Sequence, residues 1–423
     1  MNKNWYKLDN AALIYPPNKS RKWIAMFRIA AVLNEKVEPE ALQAAADDVL
    51  PRFPTMKVEL RKGFFWYYFD DNSTKFKIEP ETKYPCQMIK MVNRSYLFRI
   101  MYQNYRITLE SFHSLTDGTG AFLFLNTLLR RYFELKGKPV TGYEGCLNYL
   151  DIPDFEESED SFHKAADFQR FTPRKEDKAY QMTLPKSEPG VFWLTHGTID
   201  IQALKETAKK YDTSIGPFIA AVYLYSIYLF KEGLPYKKKN KRIKLSIVTD
   251  MRRWFESRTL RNFAMYMNFG VDGNREYSFG EVLAEARKAY PMMNKEYCLG
   301  VVNANVRSQR KAAVRLMPLI IKNPALKLSF RMFGEKLNTS TFSNLGIIGA
   351  PSEFKDYIQR YETAIGPQWR QCAALSAVSF NGRMVLTFSA RAKEPVIERI
   401  FFKTLAAFGV EVTVDSNRGW TDD

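Results

Sequence analysis

The 423-residue sequence is poor in the residues that usually hold metals or cross-links. It has three histidines and four cysteines, Cys86, Cys146, Cys298 and Cys372, with no Cys-x-x-Cys pair among them. Neither a disulfide framework nor a metal site is expected. No run of about 18 apolar residues occurs, so no integral membrane segment is expected. Met1–Lys7 has neither an apolar core nor a small-residue cleavage site, which argues against a leader and for a cytoplasmic protein. Acid is also in short supply: 63 Lys and Arg against 46 Asp and Glu give a net charge of +17. Such a balance favours anionic partners. Basic residues interleaved with stacking aromatics are scarce and no nucleic-acid motif occurs, so nucleic acid is not among the expected partners.

Hydrophobic residues make up 46% of the chain, which at this length supplies two or more cores. The pattern is strand, helix and hairpin in alternation, an α/β (α+β) chain. Trp23–Val32 reads as a buried strand and Pro39–Leu50 as a helix with Pro in its first turn. Thr55–Leu60 with Phe64–Phe69, and Tyr96–Met101 with Tyr105–Phe112, read as hairpins. Residues 151–190 break this pattern with acidic, mixed-charge and Pro/Gly clusters. The expected division is a lobe over 1–170, a connection over 171–190 and a second lobe over 191–423. In the second lobe, Val191–Ile199, Ile243–Thr249 and Thr339–Leu345 read as strands. Ile201–Tyr211, Ser214–Phe230, Phe279–Tyr290, Asn303–Ile321 and Pro395–Phe408 read as helices, with Ser214 a plausible cap. Asn381-Gly382 is the strongest hairpin turn, between Ala373–Phe380 and Arg383–Ala390.

One stretch carries chemistry. Tyr105–Phe112 runs as a strand into His113-Ser114-Leu115-Thr116-Asp117-Gly118, and a helix-like run leaves it at Ala121. The histidine therefore sits at a strand end, where a ring nitrogen can take a substrate proton near neutral pH. Asp117 or Thr119 can cap the helix, and Gly118 eases the turn. A lone histidine at such a corner is more often structural. Finding one of three histidines followed by Asp and Gly at this spacing by accident has odds on the order of one in a hundred, from average residue usage. His163 lies in the connection and His196 inside a strand with no Asp at the same offset; neither is read as catalytic.

His113–Gly118 resembles the signature of the chloramphenicol-acetyltransferase and condensation-domain superfamily. Other stretches resemble its alcohol-acetyltransferase-like branch: Leu8-Asp9-Asn10-Ala11-Ala12 with Tyr15-Pro16-Pro17, Arg52-Phe53-Pro54, Leu60–Tyr68, Asp250-Met251-Arg252-Arg253 with Thr259-Leu260-Arg261-Asn262, and Ser343-Asn344-Leu345-Gly346. Many relatives carry two consecutive histidines; here Phe112 holds the first place and His113 the second, usually reactive one. The resemblance implies two similar lobes, each a mixed sheet with flanking helices, meeting at a central tunnel. It implies an acyltransferase that moves an acyl group, acetyl foremost, from a coenzyme A thioester to an alcohol or amine. His113 would be the general base, with no covalent intermediate and no bound cofactor; acyl-CoA, acetyl-CoA in the simplest case, is a substrate. Asp117 would be structural, paired with Arg252, with Arg253 an adjacent rival. Ser343, Asn344 and Thr341 are the oxyanion candidates. Alternation puts Thr341 and Ser343 on one face and Asn344 on the other, so all three cannot serve together.

The expected partners are thus a small-molecule acceptor and acyl-CoA. Two other readings stay open. One is a condensation-type module that draws its acyl group from an acidic carrier protein, for which a basic surface is suited. The other is a degenerate, non-catalytic binding member. Lys237–Arg242 reads either as a solvated loop or as an attractor for coenzyme A phosphates. The aromatic run Gly63–Tyr68 reads either as sheet core or as the wall of an apolar acceptor site.

Overall fold

A computed structural model describes residues 5–20, 23–172, 176–234 and 241–418. The alternating apolar runs pair into two large sheets. The first has five strands in the order Ile358–Ile365, Met26–Leu33, Arg106–Phe112, Phe98–Gln103 and Glu79–Pro80. The second has seven, in the order Ala264–Val271, Ile243–Asp250, Ser340–Ile347, Ala373–Phe380, Arg383–Ala390, Trp193–Asp200 and Thr413–Ser416. Ser340–Ile347 runs parallel to both its neighbours, and the other pairs of this sheet are antiparallel. A small sheet joins Trp5–Lys7 to the hairpin of Val58–Lys62 and Tyr67–Asp71.

Each large sheet has its own core. The first gathers Phe112, Leu115, Phe124 and Leu128 with Phe354 and Tyr361 from far along the chain. The second gathers Phe218, Tyr223 and Leu245 with Phe342, Phe388 and Phe401. The helix Gly118–Leu135 lies in the first core and Ile215–Glu232 in the second; both are buried along most of their length. The edge strand Ile358–Ile365 pairs antiparallel with Met26–Leu33, so a segment beyond the 171–190 connection completes the first-half sheet. Charge is buried there too. Arg28 bonds Glu81 at 2.7 Å and Glu110 at 3.2 Å, and Glu110 also takes Arg99. Such charges persist inside a fold only when paired.

Three expectations change. The helix foreseen over Asn303–Ile321 is three pieces: Lys295–Arg310, Ala312–Leu316 and Leu319–Phe333. Lys311 leaves helical geometry at ψ 130, and Pro318 stands extended at ψ 148 as the cap of the third piece. Ser214 stands at its helix N-cap without a side-chain capping bond. The strands Ala264–Val271 and Ile358–Ile365 are additional to those foreseen. Asn381 and Gly382 make the foreseen hairpin turn, both at positive φ (46 and 73), as a primed turn requires. Of the Lys237–Arg242 cluster, Lys237–Asn240 lie outside the described residues; Arg242 Nη2 donates to the Gly270 carbonyl at 2.7 Å.

Candidate active site around His113

His113 follows the last residue of strand Arg106–Phe112, and its N–H donates to the Ala25 carbonyl at 2.8 Å. Its half-buried ring lies between two aromatics. Tyr15 stacks on it at 5.0 Å with the planes 11° apart, and Phe27 leans on it at 4.9 Å. Ring rotation is thereby restricted. The ring's Nδ1 lies 3.0 Å from Asn262 Oδ1, and Asn262 Nδ2 donates to Asp9 Oδ2 at 3.2 Å. The second bond decides the first. A carboxylate only accepts, so it selects the amide end that faces it and turns Asn262 Oδ1 toward the ring. An oxygen there requires the proton on Nδ1, so Nε2 carries the lone pair.

Asp9 is fully buried, and burial pushes its carboxyl up to about 6 against the opposing pull of the Arg261 guanidinium; nearby Asp160 adds to the rise. It also accepts the Ala12 N–H at 2.7 Å, with Arg261 3.6 Å away. At neutral pH it is an ionised acceptor, the state in which it orients Asn262.

Asp117 turns away from the ring. Its Oδ1 takes the Gly120 N–H at 3.1 Å and caps the helix Gly118–Leu135. Its Oδ2 takes Arg252 Nη1 at 2.9 Å and the Phe263 N–H at 2.7 Å. Burial opposes the charge on Arg252, but Asp117 and Asp250 outweigh it and raise its pKa. Arg252 Nη2 donates to the Thr259 and Arg261 carbonyls at 2.8 Å each. Arg253 is exposed and lies against Trp254. Thr116 Oγ1 donates to the Leu260 carbonyl at 2.6 Å. The segment Thr259–Phe263 therefore clasps the His113 loop from the second half. Gly120 permits that approach, because a Cβ there would stand 2.2 Å from the Leu260 carbonyl oxygen.

The Ser343–Gly346 stretch reaches the same corner. Leu345 packs so closely on Gly118 that a Cβ on Gly118 would lie 2.7 Å from it. Thr341, Ser343 and Asn344 are half-buried on strand Ser340–Ile347. Asn344 Oδ1 accepts the Gly346 N–H at 2.9 Å, so Nδ2 is the donor end of that amide. Gly346 has φ 73, and the ladder to the neighbouring strand shifts between Asn344 and Ile347.

A cavity of about 980 Å³ lies alongside. Trp5, Trp66 and Tyr68 line it with Lys7, Arg310 and Arg315, so the aromatic run Gly63–Tyr68 contributes a cavity wall rather than sheet core alone. His113 is not among the lining residues; Leu8 and Arg261, the sequence neighbours of Asp9 and Asn262, are. His163 lines it as well, half-buried, with Nε2 3.8 Å from Asp160. His196 is buried elsewhere, with Nδ1 3.0 Å from Thr387 Oγ1. Its ring with Glu362 and Asp415 has the spacing of a metal set. Arg106 and Arg360 already bond Glu362 at 3.0 and 2.8 Å, so guanidinium groups balance that carboxylate. The four cysteines are buried thiols.

In the sequence Asp9 and Asn262 stand only within longer stretches that resemble the family, and nothing there assigns either a role.

No family model and no curated protein matches the sequence. Solved structures match in fold across nearly the whole chain. Trichothecene 15-O-acetyltransferase from Fusarium sporotrichioides aligns over 96% of this chain and 94% of its own at 12% identity and TM-score 0.56. The starter condensation domain of rhizomide synthetase, solved with C8-CoA, aligns over 96% and 94% at 13% identity and TM-score 0.58. Polyketide synthase associated protein 5 from Mycobacterium tuberculosis aligns over 95% and 98% at 13% identity and TM-score 0.55. The chain thus shares the fold of these acetyltransferase and condensation-domain structures.

Proposed function

We propose that the protein is an acyltransferase that moves an acyl group from a coenzyme A thioester to an alcohol or amine, with His113 as general base. The observation that carries this reading is the Asp9–Asn262–His113 chain, which leaves the lone pair on Nε2. In the proposed step an acceptor O–H or N–H gives its proton to Nε2 while its heteroatom attacks the thioester carbonyl. The carbonyl π pair moves onto oxygen. Collapse of that tetrahedral species expels the coenzyme A thiolate, which takes the proton back from the imidazolium. The products are ester or amide and free thiol, and the enzyme is never acylated.

Asp117 and Arg252 act as positioning residues that hold the loop. Thr341, Ser343 and Asn344 are the proposed oxyanion donors, with Asn344 Nδ2 the one whose opposite end is already fixed. The likeness in fold to an acetyltransferase and to a C8-CoA-bound condensation domain supports acyl transfer, and the basic net charge suits an anionic donor. The same charge suits an acidic carrier protein, which is the second reading for the donor.

Release of free thiol from acetyl-CoA, followed with a panel of alcohols and amines, tests the proposal. Turnover with the free thioester supports it. Turnover only with a carrier-bound thioester makes the carrier the donor. Ligand binding with no turnover on any donor makes the protein a non-catalytic member.

A further inference from the structure

The helix Leu319–Phe333 turns an apolar face to solvent. Ile320, Ile321, Pro324, Ala325 and Leu328 fall at i, i+1, i+4, i+5 and i+8, one continuous helical face, and all five are exposed. Ile320 is 79% exposed, and Leu328 and Ile321 are each more than half exposed. Two polar residues of the same helix, Lys322 and Asn323, point inward. Lys322 Nζ donates to the Phe65 carbonyl at 2.8 Å and lies over the Trp66 ring, and Asn323 Nδ2 donates to the Tyr67 hydroxyl at 2.9 Å. Two neighbours extend the apolar face. Leu316 ends the preceding short helix, and Phe64 sits at the hairpin tip, where its carbonyl accepts the Leu319 N–H at 2.8 Å; both are about as exposed as Ile320. An aliphatic and aromatic face of this extent calls for an occupant.

Charge names the occupant. From Tyr297 to Gly334 the sequence holds seven Lys or Arg and no Asp or Glu. Lys311, Arg315 and Lys327 are exposed beside the apolar stripe, and Lys62 is exposed beside the hairpin tip. A second copy seated on this face would bring cationic rims together. A folded acidic protein would answer the cations but not a stripe of Ile, Leu and Phe. A lipid surface with anionic headgroups answers both, with the stripe at the acyl boundary and the cations at phosphate level. No single described helix is long and apolar enough to cross a membrane. The face would lie on the bilayer.

We infer that the Ala312–Leu316 and Leu319–Phe333 helices, with the Phe64–Phe65 tip, dock this protein peripherally onto an anionic lipid bilayer. The docking face adjoins the aromatic cavity, whose wall includes Trp66 and Arg315. Its far side reaches the site, because Phe330 packs on Trp23, Trp23 on Tyr15 and Tyr15 on His113. The inference stands on exposure and charge and does not depend on acyl transfer.

The test is flotation of the full chain with vesicles of phosphatidylcholine alone and of phosphatidylcholine with phosphatidylglycerol, alongside light scattering for the solution mass. The expected result is binding to the anionic vesicles that weakens with salt and is much weaker on neutral ones. The double variant Ile320→Asp/Leu328→Asp, at exposed positions, should melt as the wild type does and lose about tenfold or more of the vesicle partitioning. Arg315→Glu/Lys327→Glu should lose a similar amount. Absence of binding to anionic vesicles, or binding unchanged in the Ile320/Leu328 variant, overturns the inference. A dimer that the same variant turns into monomer overturns it in favour of a second copy. A carrier protein captured through this face, with no vesicle binding, overturns it in favour of that partner.

Discussion

Asn262 Oδ1 meets His113 Nδ1 at 3.0 Å across 149 residues of sequence, and this contact sets which ring nitrogen is free to accept a proton. Replacing Asn262 by Leu keeps the bulk and removes the acceptor. The predicted outcome is a fall in kcat with KM nearly unchanged, together with a stability loss of about 1–3 kcal/mol because buried Asp9 and the His113 ring each lose a partner. The ceiling on that fall is about 10⁴-fold, the cost of a wrong tautomer in a serine-protease triad. A variant with wild-type kcat would show that the tautomer is set elsewhere.

Asp117 holds Arg252, the Phe263 amide and its own helix end at once. In Asp117→Asn one amide cannot accept at every one of these points, and Arg252 loses its buried counter-charge. Denaturant unfolding should show a loss approaching about 3–5 kcal/mol, the range for breaking a buried pair from one side, with activity lost alongside. Asp250, 3.0 Å from Arg252, still shares the guanidinium and keeps the loss toward the lower end. A stable, fully active Asp117→Asn protein would contradict the bracing role.

Gly120→Ala places a methyl where the Leu260 carbonyl and Thr116 Oγ1 already stand, at 2.2 and 2.4 Å. Ala favours a helix elsewhere, so a gain would be the naive expectation. The clash is with backbone, which yields little. The variant should lose roughly 1–3 kcal/mol by thermal or denaturant unfolding and lose turnover as the clasp opens. A variant as stable as wild type would mean that the Leu260 segment moves freely.

Asp9 gives a pH signature. Its carboxyl is raised to about 6 in the fold, mainly by burial, against the ordinary carboxylate range when unfolded. The folded state therefore holds the proton more tightly between about pH 4 and 6, and stability falls as pH rises through that window. Asp9→Asn removes this group. The stability of the variant relative to wild type should rise from about pH 4 to about pH 7, measured by urea unfolding at each pH. A difference independent of pH would contradict the buried, raised carboxyl.

Much of the scaffold could be read from periodicity, because strands such as Arg106–Phe112 and Arg383–Ala390 are bounded by plain turn signals. That Arg252 pairs with Asp117, 2.9 Å apart, is what the family resemblance implies; no local pattern joins residues 135 positions apart. Other features were hidden for identifiable reasons. Strand Ile358–Ile365 carries Arg360 and Glu362, charges that break an apolar alternation; Glu362 is buried, and Arg106 and Arg360 neutralise it. Helical periodicity ran through Lys311, where the chain turns, because nothing but Pro318 marks the break. The Asp9–Asn262 bond spans 253 residues, and no local pattern brings residue 9 to residue 262. Short-range signals locate His113, whereas the Asp9–Asn262 pair beside its ring is visible only in three dimensions.

The central claim is that Nε2 of His113 takes the acceptor's proton. The most direct measurement is free-thiol release from acetyl-CoA by wild type and by His113→Ala, with an acceptor that supports wild-type turnover and with matched melting temperatures. A loss of about 10²–10⁴-fold in kcat, the usual worth of a general base, is the predicted result. Undiminished turnover by the folded His113→Ala protein would contradict it.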